Sequence, residues 1–102
     1  MILYRLDFDY RAKKEFDKLG TTDQRQLQNK LRERLVNPRV ATDRLSDMPD
    51  CYKIKLRAAG VRLIYRVQDA VLVVFVVSVG KRDSSKDDSY DVAARRLKTL
   101  DD

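Results

Sequence analysis

The stretch Cys51-Tyr52-Lys53-Ile54-Lys55-Leu56-Arg57-Ala58-Ala59-Gly60-Val61-Arg62-Leu63-Ile64-Tyr65-Arg66-Val67-Gln68 organises the reading of the whole chain. Its first half alternates, with Tyr52, Ile54 and Leu56 set against Lys53, Lys55 and Arg57, the period of two that a half-buried strand requires. Ala59-Gly60 predicts a two-residue hairpin turn between strands over about 51–58 and 61–68, because glycine accepts the positive φ that such turns need. That turn pairs Ala58 with Val61, and so Arg57 with Arg62, Lys55 with Ile64 and Lys53 with Arg66. Opposed residues point to the same side of a sheet. Lys53, Lys55, Arg57, Arg62 and Arg66 are therefore expected on one face, and Tyr52, Ile54, Leu56, Leu63, Tyr65 and Val67 on the other.

Upstream, Ile2 to Phe8 reads as an edge or central strand. Asp9 is placed to cap a helix running to about Leu19 and stopped by Gly20, with Phe8, Ala12, Phe16 and Leu19 on one face. A second helix starts at Thr21 or Thr22, carries Leu27, Leu31 and Leu35 at four-residue spacing, and ends at Asn37-Pro38. The short connection at Gly20 predicts an antiparallel helix hairpin, packed on the apolar side of the sheet. A polar loop follows from Val40 to Asp50.

Downstream, 71–79 is nearly all Val and Phe, which implies a strand buried on both faces in the middle of the sheet. Gly80-Lys81-Arg82 comes next, then a polar connection from Ser84 to Ser89, then a terminal helix with Tyr90, Ala93, Ala94 and Leu97 on one stripe. The expected class is α+β: an N-terminal strand, a helix hairpin, an antiparallel run of three strands and a short C-terminal helix packed on one sheet. Residues 1–102 are expected to form a single domain.

Composition narrows the function. Lys and Arg outnumber Asp and Glu by 22 to 16, for a formal charge of +6 and a pI near 9.6, which favours an anionic partner such as nucleic acid. Cys51 is the sole cysteine, which excludes an internal disulfide and fits a reducing compartment. With no histidine to activate it, it reads as a small residue at a strand start and not as a nucleophile. The N-terminus lacks the apolar stretch of a signal peptide, and Val71–Val79 is too short to span a bilayer, so a cytoplasmic location is expected.

Between Cys51 and Gln68 there is no carboxylate. Solvated strands usually mix signs, because stacked like charges repel, and such repulsion lowers the pKa of a lysine among them. A phosphate would neutralise the group. A nuclease without a metal must deprotonate the attacking 2′-hydroxyl, stabilise the charged phosphorane and protonate the leaving oxygen. Histidine is absent, and the acidic residues are scattered rather than clustered as a metal site requires. The route left open is a lysine of depressed pKa as base, with arginines as charge clamps. Tyr90 is placed either to stack on a base or to fill the core.

The segments Leu6–Ala12, Met48–Arg57, Gly60–Tyr65 and Val77–Arg82 closely resemble the RelE toxins, in order along nearly the whole chain. The resemblance implies a compact fold with helices on one face of a mostly antiparallel sheet. It implies cleavage of messenger RNA in the ribosomal A site, and neutralisation by a RelB-like antitoxin, with DNA met only through the toxin–antitoxin complex. By position, Lys55 would be the general base, Lys53 and Arg62 would hold the scissile phosphate, and Arg82 would act as general acid or charge stabiliser. The high pKa of arginine favours the clamp role for Arg82. Tyr90 would stack on the messenger base, and the basic helix faces would grip 16S ribosomal RNA. No cofactor is implied. Ser46 and Asp47 stand where relatives tend to carry a basic or small residue. The alternatives are a gyrase-inhibiting toxin on the same fold, and an RNA- or DNA-binding module without catalysis.

Overall fold

The computed structural model describes residues 2–81 and 89–101. The elements are β1 (Arg5–Phe8), α1 (Tyr10–Asp17), α2 (Thr21–Val36), a 3-10 turn (Ala41–Asp43), β2 (Cys51–Leu56), β3 (Val61–Gln68), β4 (Val73–Lys81) and α3 (Ser89–Asp101). The four strands form one sheet in the order β1-β4-β3-β2. β1 runs parallel to β4 at one edge, and the other pairings are antiparallel, so the sheet is mixed.

Asp9 caps α1 as expected: its carboxylate accepts from the Arg11 backbone N–H at 2.9 Å and also binds the Arg11 guanidinium at 3.0 Å. Ala12 and Phe16 of α1 and Leu27 and Leu31 of α2 are buried against Tyr52, Ile54, Leu56, Leu63, Tyr65 and Val67 of the sheet, the face predicted to be apolar. Gln24 reaches back from α2 to the carbonyls of Phe16, Asp17 and Leu19, satisfying groups that the end of α1 leaves open.

β4 lies second from the edge with Val73, Val74, Val76, Val77 and Val79 buried, as its composition implies. An irregularity opposite Ile64 and Tyr65, where the partners jump from Ser78 to Val76, turns Val77 to one face while Val76 and Val79 reach the other.

Two expectations are corrected. The β2–β3 connection is the four-residue turn 57–60, closed by the Gly60 N–H on the Arg57 carbonyl at 3.2 Å, with Gly60 at φ 67°. The pairing is therefore Lys55 with Arg62, Lys53 with Ile64 and Cys51 with Arg66, two residues away from the predicted register, and Arg57 leaves the strand. A shift of two keeps every side chain on its predicted face, whereas a shift of one would have inverted them. The second correction concerns α3, which does not join the hairpin helices on their side. Ala93 and Leu97 pack with Cys51, Ile64 and Val77 in a separate cluster on the opposite face of the sheet, with Leu45, Met48, Phe75 and Tyr90 at its margin. Ala94, assigned to the same stripe, is exposed. The reason is the apolar patch formed by Ile64, Val77 and Cys51, which is fully buried beneath α3.

Candidate active site

α3 divides the predicted cationic face. At its Cys51 end, α3 covers the sheet, and Arg66 is taken up by Asp101 in a two-pronged contact at 2.8 and 3.0 Å. At its other end Lys53, Lys55 and Arg62 stay half-buried on the part of the same face that α3 does not cover. Lys55 lies directly opposite Arg62, and Lys53 follows two residues along β2. Arg57, Gly60 and Arg62 join Lys55 around a cleft of about 350 Å³.

Charge crowding has a direct chemical result. Lys53 foremost, then partial desolvation and the Arg62 and Arg57 charges, hold the Lys55 ammonium below its ordinary pKa. A neutral amine is thus easier to reach at Lys55 than at a solitary lysine. No carboxylate pairs with Lys53, Lys55 or Arg57 among the described residues.

Arg62 lies over the Tyr90 ring, its guanidinium carbon 4.9 Å from the ring centroid. Tyr90 is half-buried at the start of α3, so a single residue contacts both the second core cluster and a candidate phosphate clamp. A base stacking on Tyr90 has to share the ring with Arg62 or displace it. Lys81 ends β4 opposite Val61 and is exposed, while Arg82 lies outside the described residues. Cys51 is fully buried and its thiol is pushed up to about 11, chiefly by burial, which suits a packing residue and not a nucleophile.

Arg34 was not singled out from the sequence. From α2 it donates to the Lys53 carbonyl at 3.3 Å, to the Tyr65 hydroxyl at 2.9 Å and to the Asp43 carboxylate at 2.6 Å, pinning β2 from the side of the sheet opposite the cationic face. The available signal was Tyr65 itself, a tyrosine on the buried side of a strand, whose hydroxyl needs a partner. The Glu15–Arg96 pair was also unforeseen. Where β1 ends, the free edge of β4 offers the Val79 N–H to Glu15 at 3.2 Å and the Val77 carbonyl to Arg96 at 2.9 Å, and the two side chains join α1 to α3 at 2.8 Å. Among the described residues no group of three or more His, Cys, Asp or Glu gathers to hold a metal ion, and no helix is long and apolar enough to cross a membrane.

The family described as the ParE toxin of type II toxin–antitoxin systems (parDE) matches residues 6–85. This chain belongs to the ParE/RelE toxin family. Within that family it is 54% identical over 94 residues to the mRNA interferase toxin RelE of Escherichia coli (strain K12), covering 92% of this chain and 97% of the relative. A mutant of the E. coli toxin RelE in the free state superposes with a TM-score of 0.83 at 53% identity, covering 93% of this chain and 98% of the other. The toxin in the intact E. coli RelBE toxin–antitoxin complex matches with a TM-score of 0.76 at 57% identity, over 78% of this chain and 98% of that one. The α+β architecture of this ParE/RelE-family chain is thus that of solved RelE toxins.

Proposed function

We propose that this chain is an mRNA interferase toxin: a ribosome-dependent endoribonuclease that cuts messenger RNA in the ribosomal A site, stops translation and is neutralised by a RelB-like antitoxin. In this reading it acts in the cytoplasm, through a single domain spanning the chain. The observation that carries it is the convergence of Lys53, Lys55 and Arg62 on the part of one sheet face that α3 leaves open, with Lys55 depressed by its neighbours. The likeness to proteins named mRNA interferase toxins supports the same reading.

The roles assigned here follow the family resemblance, position by position. Lys55, as the neutral amine, takes the proton from the 2′-hydroxyl, and the 2′-oxygen attacks the adjacent phosphorus to form a 2′,3′-cyclic phosphate while the bond to the 5′-oxygen breaks and that oxygen takes a proton from water. Lys53 and Arg62 carry the charge that builds on the phosphoryl oxygens, and such preorganised cations are worth most where charge develops. Arg82 adds a further clamp, and Tyr90 stacks on the messenger base and steadies Arg62. The ribosome supplies in-line geometry that cationic side chains alone do not impose. Contacts from basic helix faces to 16S ribosomal RNA add a salt-sensitive, sequence-independent affinity.

The test is Lys55→Ala on ribosomes programmed with a defined message. Cleavage is expected to be abolished while association with the ribosome survives, and naked RNA is expected to be cut poorly by the wild type. Normal cleavage by Lys55→Ala removes the assigned base. Inhibition of gyrase without any RNA cleavage would replace the nuclease reading with the protein-binding one.

A further inference from the structure

A second cleft, of about 380 Å³, lies beside the candidate active site along β2. Lys30 of α2, Thr42 of the 3-10 turn, Arg34, Lys53, Lys55 and Arg57 line it. Lys55 and Arg57 also line the first cleft, so these two residues form the wall between the two. We propose that the second cleft is a subsite for the messenger phosphate adjacent to the scissile one, gripped by Lys30, Thr42 and Arg57. The proposal rests on the nuclease reading above and extends it to the flanking nucleotide.

The cleft sets five cations against one carboxylate, Asp43, and that carboxylate is already committed to Arg34 at 2.6 Å. Arg34 is held inward by Tyr65 and Asp43, with its side chain 12% exposed, so it serves as a charged floor and not as a mobile arm. Lys30 and Thr42 are exposed at the rim and present an ammonium and a hydroxyl to an incoming ligand. Among the described residues no aromatic side chain lines the cleft. Without a ring for stacking, it is suited to the phosphate and ribose of a strand and not to a base. A strand whose scissile phosphate sits over Lys53, Lys55 and Arg62 has its neighbouring phosphate across the shared wall, where Lys30 and Arg57 of the second cleft await it.

The experiment pairs protein variants with a chemically altered message on programmed ribosomes. Lys30→Gln and Thr42→Val change exposed side chains at the rim of the second cleft and leave Lys53, Lys55 and Arg62 in place. Each is expected to raise the half-saturating toxin concentration for cleavage by about fivefold, the scale of an exposed charge-assisted contact, with Lys30→Arg restoring it. The maximal rate is expected to stay within about twofold of wild type, since uniform binding is what is lost. The deciding arm uses a message whose flanking linkage is a neutral methylphosphonate on a 2′-O-methyl ribose, compared with the charged phosphodiester on the same sugar. Lys30→Gln and wild type should then become equal on the neutral message. An unchanged handicap on both messages means that Lys30 meets ribosomal RNA instead and overturns the proposal. Full cleavage affinity of Lys30→Gln with weakened antitoxin binding overturns it in favour of an acidic protein partner. A wild-type protein that leaves the charged message intact overturns the nuclease reading itself, and the subsite with it.

Discussion

Replacing Tyr65 with phenylalanine tests the idea that the candidate site stands on a buried polar network. The Tyr65 side chain is fully buried; its hydroxyl donates to the Pro38 carbonyl at 2.6 Å and accepts from Arg34 at 2.9 Å. Phenylalanine keeps the ring and its stacking on Tyr52, with centroids 5.7 Å apart, so no cavity opens. What is lost is one neutral bond, leaving the buried Pro38 carbonyl unpaired, and one bond from a charged donor. Arg34 retains Asp43 and the Lys53 carbonyl, so its loss lies at the low end of the charged range. Together these changes are expected to cost about 2–3 kcal/mol, a large part of the roughly 5–15 kcal/mol that holds a domain together. Urea or guanidinium unfolding of Tyr65→Phe should show a lower midpoint at an unchanged slope. A difference below about 0.5 kcal/mol would refute the reasoning, because it would mean that water or backbone readjustment replaces both bonds at no net cost. Ribosome-dependent cleavage at temperatures where the variant is folded should fall only modestly, since Arg34 still holds β2 through Lys53.

Lys53→Gln removes the largest influence that depresses Lys55, so the Lys55 pKa should rise toward its ordinary value. The rising limb of the single-turnover pH–rate profile should then move to higher pH, with cleavage at neutral pH falling and partly returning in alkali; an unmoved limb would show that Lys55 is not the titrating base. Cys51, buried under α3 with its thiol near 11, should resist a thiol reagent in the native protein and react only as denaturant opens the fold; rapid labelling of the native state would mean that α3 does not cover it as described.

The face assignments were readable from residue types because strand alternation has a period of exactly two. Lys53, Lys55 and Arg62 share a side whether the hairpin closes over two residues or four, and the observed turn 57–60 left that conclusion standing while moving Lys55 from opposite Ile64 to opposite Arg62. Ala58-Ala59-Gly60 does not select one closure by itself, since Gly60 meets the need for positive φ in both. The helices were legible through capping and spacing: Asp9, Gly20 and Asn37-Pro38 bound α1 and α2 closely to their observed limits.

By itself, the sequence determined the elements, the sidedness of the strands and the identity of the cations on offer, because each follows from local periodicity and local chemistry. Tertiary structure alone decided which cations remain available. Arg66 is claimed by Asp101 on α3, 35 residues away, and Arg34, an unremarkable helix residue in the sequence, becomes the anchor of Lys53 through partners on three separate segments. The side of the sheet that α3 covers was likewise beyond local reading. Ala93 and Leu97 announce an apolar stripe, but its docking place depends on Ile64, Cys51 and Val77 meeting across three strands, an apolar surface that exists only once the sheet has formed.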